Sequence, residues 1–477
     1  MWAQKKSVER SPENESNLAS AFFCLAFASP SQKFRRTQSV SHSLSLSPAP
    51  HDRNHIAIHF NYKLLLLLLP RMNTNISFDN TEIAFAHKSD KELKQSHWLF
   101  SMMAKPWLVK WGTKLAPWSI RAGLPVKGLI RNTVFRQFVG GETLEETIPV
   151  EKKMAKYNVK AILDYGVEGK QGEANYDHAC DEFIRVINFA ANQPNVPFMS
   201  VKVTGIARFE LLEKLDSLMH QAKGSLSDRF YAALEQLPAD ERSEWQKIHQ
   251  RMKWICDAAD KANVGFLVDA EETWIQDPVD ALTMLLMEEY NKNKLVIYNT
   301  LQMYRHDRLA FLHESFETAK QKGFLLGEKL VRGAYMEKER KRAQEKGYPS
   351  PIQPDKASTD RDYDDAVRFC IDHIDRVGVI VASHNERSSM LPTELLQQRS
   401  LPLNHSHVHF SQLFGMSDNI TYNLAKAGCS VSKYLPFGPI KDVIPYLMRR
   451  AEENTSVGGQ TSRELNLIEK EMKRRGM

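Results

Sequence analysis

A (βα)8 barrel preceded by a helical arm is the fold this sequence predicts, and two observations predict it. Eight short apolar, β-branched runs recur from about residue 158: KAILDYGVEG, FMSVKVTGI, VGFLVDAEE, KLVIYNTLQMY, GEKLVRGAY, VGVIVASHN, HVHFSQLFG and SVSKYLPFG. Amphipathic stretches such as DHACDEFIRVINFAANQ and DPVDALTMLLMEEYNK separate them. Parallel strands covered on both faces read as near-continuous apolar runs. Strand–helix alternation repeated this often favours a closed α/β barrel over an open sheet. Such a barrel takes about 250 residues, so a chain of 477 leaves room for additions.

Taken in order, residues 1–71 are rich in Ser, Pro, His and Asn (SPENESN, SPSQKF, SVSHSLSLSPAPHDRNH) and hold no period. The expectation there is a disordered or mis-annotated leader, with Met72 as the genuine start. Early acidic residues, Glu9, Glu13 and Glu15, count against a mitochondrial transit peptide. The leucine run 64–69 ends at Pro70, far short of the ~18 residues of a membrane span. Residues 72–157 read as a helical arm. Large apolar groups recur at helical spacing over 92–147, broken near Pro106 and Pro117. Gly140 and Gly141 then stop the helix, and a Thr143 to Glu146 pattern caps the next one. The barrel occupies 158–477. The long interval after its second run carries LEQLPADERSEWQKIHQRMKW, which predicts an extra helix pair near 214–250.

Composition is that of an ordinary globular protein, with 42% apolar and 26% charged residues. The net charge of +6 is spread along the chain, without the dense basic block of a nucleic-acid binder. A slight positive balance is compatible with weak attraction to an anionic membrane surface. The five cysteines are odd in number and widely spaced, which argues against a zinc site or a disulfide framework.

Each apolar run ends in polar, chemically able residues. These are Asp164 and Glu168; Lys202 and Thr204; Asp269, Glu271 and Glu272; Gln302 and Tyr304; Lys329, Arg332 and Tyr335; Ser383, His384 and Asn385; Gln412; and Lys433 and Tyr434. In a (βα)8 barrel the C-terminal strand ends converge on one active-site face. Any one of these residues alone reads as a loop or core hydrogen bond; their repetition points to a site. Gly333 and Ala334 in KLVRGAY would let backbone approach a flat ligand. The adjacent Arg449 and Arg450 make a natural carboxylate clamp, although the same pair would suit a solvated helix end.

LDYGVEG, VKVTG, DAEE, Q-x-Y, KLVRGAY, ASHN, FSQLFGM and YLPFGP…YLMRRAEEN follow one another in this order. Together they resemble the proline dehydrogenase family, and its single-function, mitochondrial-type members more than the bifunctional bacterial proline utilisation proteins. The resemblance runs from about residue 75 to 475 and is least specific near 214–250. It implies FAD-dependent oxidation of L-proline to Δ1-pyrroline-5-carboxylate, with electrons passed to a membrane quinone by a peripheral membrane enzyme. The setting implied is the cytoplasmic side of a bacterial inner membrane, or the mitochondrion if the source is eukaryotic.

Carried over residue by residue, the resemblance implies that Arg449 and Arg450 hold the substrate carboxylate with Lys202 beside them, and that Asp269 orients Lys202. Tyr434 and Tyr446 would pack on the pyrrolidine ring, near Leu330 and Leu413, with Tyr434 a wall against hydroxylated proline. Gln302 would reach the flavin ring edge, and Val331, Gly333, Ala334 and Tyr335 would line the ring and pyrophosphate. Lys356 and Thr359 would meet the dinucleotide. Ser383, His384 and Asn385 would contact phosphate and adenosine, and Gln412 and Glu453 would complete the adenosine pocket. Lys329 stands where the bifunctional proteins carry Arg near the flavin N5; lysine keeps the charge but cannot fork. No general base is implied, and no aldehyde dehydrogenase sequence follows in this chain, so a second enzyme is expected to oxidise the product.

Two other enzyme readings use the same fold, since fold alone does not set function. Lys202 or Lys329 could form a Schiff base. His405, His407 and His409 could be metal ligands, although alternating histidines at a strand entrance are more often structural. A nucleic-acid-binding module has no supporting pattern in residues 1–71. Hydroxyproline oxidation remains open at this point, because the pocket's details lie beyond the sequence.

Overall fold

A computed structural model describes residues 76–105, 107, 127–166, 171–456 and 460–477. The proposed leader, the breaks at Pro106 and Pro117, and Glu168 lie outside the described residues. The eight apolar runs form eight parallel strands: β1 Val159–Tyr165, β2 Phe198–Val201, β3 Gly265–Val268, β4 Ile297–Gln302, β5 Leu326–Val331, β6 Val377–Ala382, β7 Val408–Leu413 and β8 Val431–Phe437. They pair in sequence order and close, β8 returning to β1 with Val159 opposite Val431 and Tyr165 opposite Phe437. The predicted (βα)8 barrel is the observed fold.

Strand parity decides which side chain meets which environment. Ile162, Leu267, Tyr298 and Ile380 fill the barrel interior, with Phe198, Leu295 and Tyr434 packed on them. The opposite parity, including Leu163, Leu301, Leu330 and Val379, joins the main core between sheet and helices. Leu330 therefore turns away from the barrel interior, and Tyr363 OH donates to its carbonyl at 3.2 Å. That corrects the expectation that Leu330 stands beside a ligand at the barrel mouth. His409 is buried against the Phe198 ring, 4.9 Å between centroids, and its Nε2 lies 2.7 Å from Ser432 Oγ. His407 Nδ1 lies 2.7 Å from the Ile374 carbonyl and His405 Nδ1 accepts from His407 N, so each histidine has its own structural partner.

The interval between β2 and β3 holds three helices, Phe209–Gln221, Leu226–Glu235 and Ala239–Ala262, where one crossover would suffice. In the arm, helix Asp90–Met103 starts with a full Ser89–Glu92 capping box. A helical run follows at Lys127–Ile130, Arg131–Phe135 (with π geometry) and Arg136–Phe138. Thr143 caps helix Leu144–Ala155 by accepting from Glu146 N, while the Glu146 carboxylate accepts from Glu142 N at 2.9 Å. Leu144 and Met154 of this helix join the barrel core. The earlier arm forms a separate apolar cluster, joining Leu99, Phe100, Met103, Phe135 and Phe138 to Ile444, Tyr446 and Leu447 of helix Ile440–Ser456 and to Leu467 and Ile468 of helix Gln460–Arg474. Thus the arm braces the helix that follows β8.

Candidate active site at the barrel mouth

A cavity of about 680 Å³ opens at the C-terminal ends of the strands. Lys202, Asp269, Tyr434, Tyr446, Arg449 and Arg450 line it, as do Gln302, Lys329, Val331, Gly333, Ala334, Tyr335, Lys356, Ser383, His384, Asn385 and Gln412. Two expected residues stand apart. Thr359 is not on the cavity wall; it lies inside helix Lys356–Asp372, where its hydroxyl donates back to the Asp355 carbonyl at 3.2 Å, a common habit of helical threonine. Glu453 falls within helix Ile440–Ser456, but its side chain lies outside the described residues.

At the centre of the mouth, Asp269 gathers donors from three strands. Lys329 Nζ pairs with its Oδ1, Ser200 Oγ donates to the same oxygen at 2.5 Å, and Tyr434 OH donates to Oδ2 at 2.6 Å. Burial pushes the Asp269 carboxyl up, but the Lys329 and Lys202 charges outweigh it and hold the group below its usual range. The expectation was that Asp269 orients Lys202. The carboxylate bonds Lys329 directly and also feels the Lys202 charge, while Lys202 Nζ lies 3.9 Å from Asp164 Oδ1. The Lys329 ammonium also sits 5.5 Å over the Tyr434 ring. Burial, with Asp164 and Asp269 nearby, drives the Tyr434 phenol well above its ordinary value, so it stays a neutral donor.

Helix Ile440–Ser456 brings Tyr446, Arg449 and Arg450 over this cluster. Arg450 is 6% exposed, with its guanidinium 5.1 Å over the Tyr446 ring. At this end of the cavity the four cations Lys202, Lys329, Arg449 and Arg450 outnumber the carboxylates Asp164 and Asp269.

The opposite wall comes from β5, β6 and their loops. Gly333 has φ +132°, a conformation side chains avoid, and a Cβ there would meet the Tyr304 ring at 2.4 Å. Arg332 donates to Ser383 Oγ at 2.8 Å, Ser388 Oγ at 2.9 Å and Asp360 Oδ1 at 2.9 Å, and stacks 4.4 Å over Tyr363. Lys356 pairs with the same Asp360. Burial pushes His384 down to about 3, helped by Lys433, Arg450 and Arg332, so the ring is neutral at physiological pH. Gln302 is buried; its Nε2 donates to the Glu271 carbonyl at 2.9 Å, while its Oε1 has no hydrogen-bond partner among the described residues.

Two contributors, Arg463 and Glu464, were not read from the sequence, and a third was read without its role. Arg332 was legible as a strand-end cation but not as the brace of this wall. Arg463 and Glu464 reach the cavity from helix Gln460–Arg474, far along the chain from any strand end. Glu464 accepts from Ser417 N, and burial, with Asp418 adding, pushes its carboxyl up to about 7. Lys433 turns to the helical layer, as parity requires, and binds Asp418 Oδ1 at 2.9 Å.

Residues 148–463 match the family model described as Proline dehydrogenase. The chain belongs to the proline dehydrogenase family. It is 34% identical to proline dehydrogenase 1, mitochondrial, of Dictyostelium discoideum, covering 74% of this chain and 66% of the relative. It is 35% identical to the carbapenem antibiotics biosynthesis protein CarD of Pectobacterium carotovorum subsp. carotovorum, over 73% of this chain and 86% of that one. Hydroxyproline dehydrogenase of Xenopus laevis is 33% identical, over 82% and 88% respectively. Among solved structures, proline utilization A of Bdellovibrio bacteriovorus, inactivated by N-propargylglycine, superposes with a TM-score of 0.61 at 18% identity. That match covers 80% of this chain but 42% of the bacterial one, so this proline dehydrogenase-family chain spans less than half of its structural relative. Among the described residues no helix is long and apolar enough to cross a membrane.

Proposed function

We propose that this chain oxidises L-proline to Δ1-pyrroline-5-carboxylate with FAD as its redox group, the first step of proline catabolism, and that a membrane quinone takes the electrons. The observation that carries the reading is the pairing, in one cavity, of a cationic clamp (Arg449, Arg450, Lys202) with a neutral aromatic wall (Tyr434, Tyr446). A cyclic amino acid presents that combination: a carboxylate at one end and an apolar ring at the other.

The residues present fit a flavin dinucleotide. The buried Gln302 Oε1 lacks a donor, which a ring-edge N–H would supply. Gly333, at positive φ and packed on the Tyr304 ring, lets the backbone of this wall follow a course a side chain would block. Arg332, Lys356 and the neutral His384, with Ser383 and Asn385, suit a diphosphate, and Gln412 and Glu453 the adenosine beyond it. Val331, Ala334 and Tyr335 would line the ring, and Thr359 would act from behind Lys356. A bound flavin supplies the two-electron acceptor for the hydride that leaves C5 of proline.

The chain's own contribution is positioning and charge. Arg449 and Arg450 fix the carboxylate, with Lys202 alongside. Tyr434 and Tyr446 hold the pyrrolidine ring between them and exclude water. Asp269 fixes the Tyr434 hydroxyl and the Lys329 ammonium together, so that a cation stands at a set place beside the reacting ring. The Tyr434 phenol also narrows the space for a ring hydroxyl, which favours proline over hydroxyproline. The mitochondrial name of the Dictyostelium relative supports a mitochondrial setting for a eukaryotic source; for a bacterial source the inner membrane's cytoplasmic face is the counterpart.

The test is product identity. The purified chain, supplied with FAD, L-proline and a soluble quinone, is expected to yield a product two hydrogens lighter than proline by mass spectrometry. Turnover of trans-4-hydroxyproline but not L-proline would replace the substrate; turnover of neither, with FAD bound, would overturn the reading.

A further inference from the structure

Helix Asp90–Met103 has two faces of opposite character. The inner face buries Leu93, Leu99, Phe100 and Met103 in one cluster with Ile444, Tyr446 and Leu447 of the helix that carries Arg449 and Arg450. The outer face, read at helical spacing, presents Lys91, Lys94 and Trp98, all exposed, and Lys105 lies exposed two residues past the helix end. Trp98 is 52% exposed and Trp107 62%. Some surface lysines elsewhere have acidic partners, such as Lys214 with Glu241, Lys253 with Glu289 and Lys322 with Glu288, and others, such as Lys223, Lys261 and Lys346, have none among the described residues, so it is the company of exposed tryptophan that sets this face apart. Lys91, Lys94 and Lys105 have no ion-pair partner among the described residues. The acids near this face are already engaged: Asp90 by Arg475, Glu92 by Lys153 and Glu469 by His97.

The sequence carries the same bias onward. Between Glu92 and Glu142 there is no Asp or Glu, but there are eight lysines or arginines and four of the chain's eight tryptophans. A solvated helix normally mixes signs and exposes few tryptophans. Tryptophan favours the depth of lipid headgroups, and lysine can lay its stem along that layer while its ammonium meets anionic phosphates.

We propose that the outer face of helix Asp90–Met103, with Trp98, Trp107, Lys91, Lys94 and Lys105, seats this protein on an anionic lipid bilayer. The inference deepens the quinone-linked reading above and rests on it for its purpose. The docked helix packs directly on the substrate-clamp helix, so docking here would bring the cavity within about one helix diameter, ~10 Å, of the headgroups where a quinone pool is reached.

The test is cosedimentation of the full chain with vesicles of phosphatidylcholine, alone or mixed with phosphatidylglycerol. The wild type is expected to sediment with the mixed vesicles and not with the neutral ones. Lys91→Ala/Lys94→Ala/Lys105→Ala is expected to lower partitioning by roughly 100-fold, at about fivefold per lysine near an anionic surface. Lys223→Ala/Lys261→Ala/Lys346→Ala makes the same charge change elsewhere and is expected to partition as the wild type does. Trp98→Ala is expected to weaken binding that persists at high salt. Equal losses in both triple variants, or a wild type that ignores the mixed vesicles, would overturn the proposal. Capture by an acidic protein, without vesicle binding, would do so as well and point to a protein partner. L-proline oxidation with a soluble acceptor is read in parallel: its absence would refute the proposed reaction, whereas its retention in the Lys91/Lys94/Lys105 variant with lost vesicle binding separates docking from chemistry.

Discussion

Replacing Asp269 by asparagine removes the one carboxylate on which Lys329, Ser200 and Tyr434 converge. Side-chain size is nearly conserved, so the effect is one of charge and hydrogen bonding. Lys329 has a side-chain exposure of 6% and keeps its ammonium with its counter-charge gone. Breaking a buried pair by removing one partner costs about 3–5 kcal/mol. With an unfolding entropy of about 2.1 cal/mol/K per residue, roughly 400 folded residues give ~0.8 kcal/mol/K, so Tm is expected to fall by about 4–6 °C. The sign with pH is fixed too. The folded carboxyl titrates below its ordinary 3.8, so its stabilisation is present above that pH and lost as pH falls through the lower folded value. The deficit of the variant should therefore hold at neutral pH and shrink in acid. Differential scanning calorimetry of the wild type, Asp269→Asn, Lys329→Met and the double variant measures it, the double variant recovering most of the loss because no charge is left uncompensated. A single variant as stable as the wild type, or a double variant no better than the single, would refute the coupling.

Other consequences are open to direct measurement. Arg449→Ala and Arg450→Ala each remove charged hydrogen bonds worth about 1.5–3 kcal/mol, and are expected to raise KM for L-proline by ~10- to 150-fold in steady-state assays. Tyr434→Ser opens the wall against a ring hydroxyl and breaks the bond to Asp269; the ratio of kcat/KM for trans-4-hydroxyproline to that for L-proline should rise. Glu464 is buried with its carboxyl raised from 4.5 to about 7, so its contribution is full below the unfolded value and is lost as pH rises through 7. The stability of wild type relative to Glu464→Gln should drop by about 3 kcal/mol across that range, most of it between about pH 5 and 8, in parallel urea titrations.

The barrel was legible because its strands are uniformly apolar and β-branched, a signal carried by each run on its own. The Thr143 cap was legible for the same reason, since its partner Glu146 is three residues away. The site was legible as far as strand ends could be read: most of the expected residues line the cavity. What escaped was pairing across the barrel. Asp269 follows β3 and Lys329 lies inside β5, and only the stagger of a closed sheet brings them to one level. Leu330 was misread because one step along a strand reverses the face, and neighbours of either parity are apolar here. Arg463 and Glu464 were invisible because a C-terminal helix folding back over the mouth leaves no local mark.

Everything proposed above depends on a flavin and L-proline meeting in this cavity. The direct measurement is the visible spectrum of the FAD-loaded chain, titrated with L-proline in the absence of oxygen. The expected result is a yellow protein whose flavin absorbance bleaches as proline is added, and an Arg449→Ala/Arg450→Ala variant that stays yellow at the same concentrations. A folded protein that takes up no FAD, or a yellow one indifferent to proline, would contradict it.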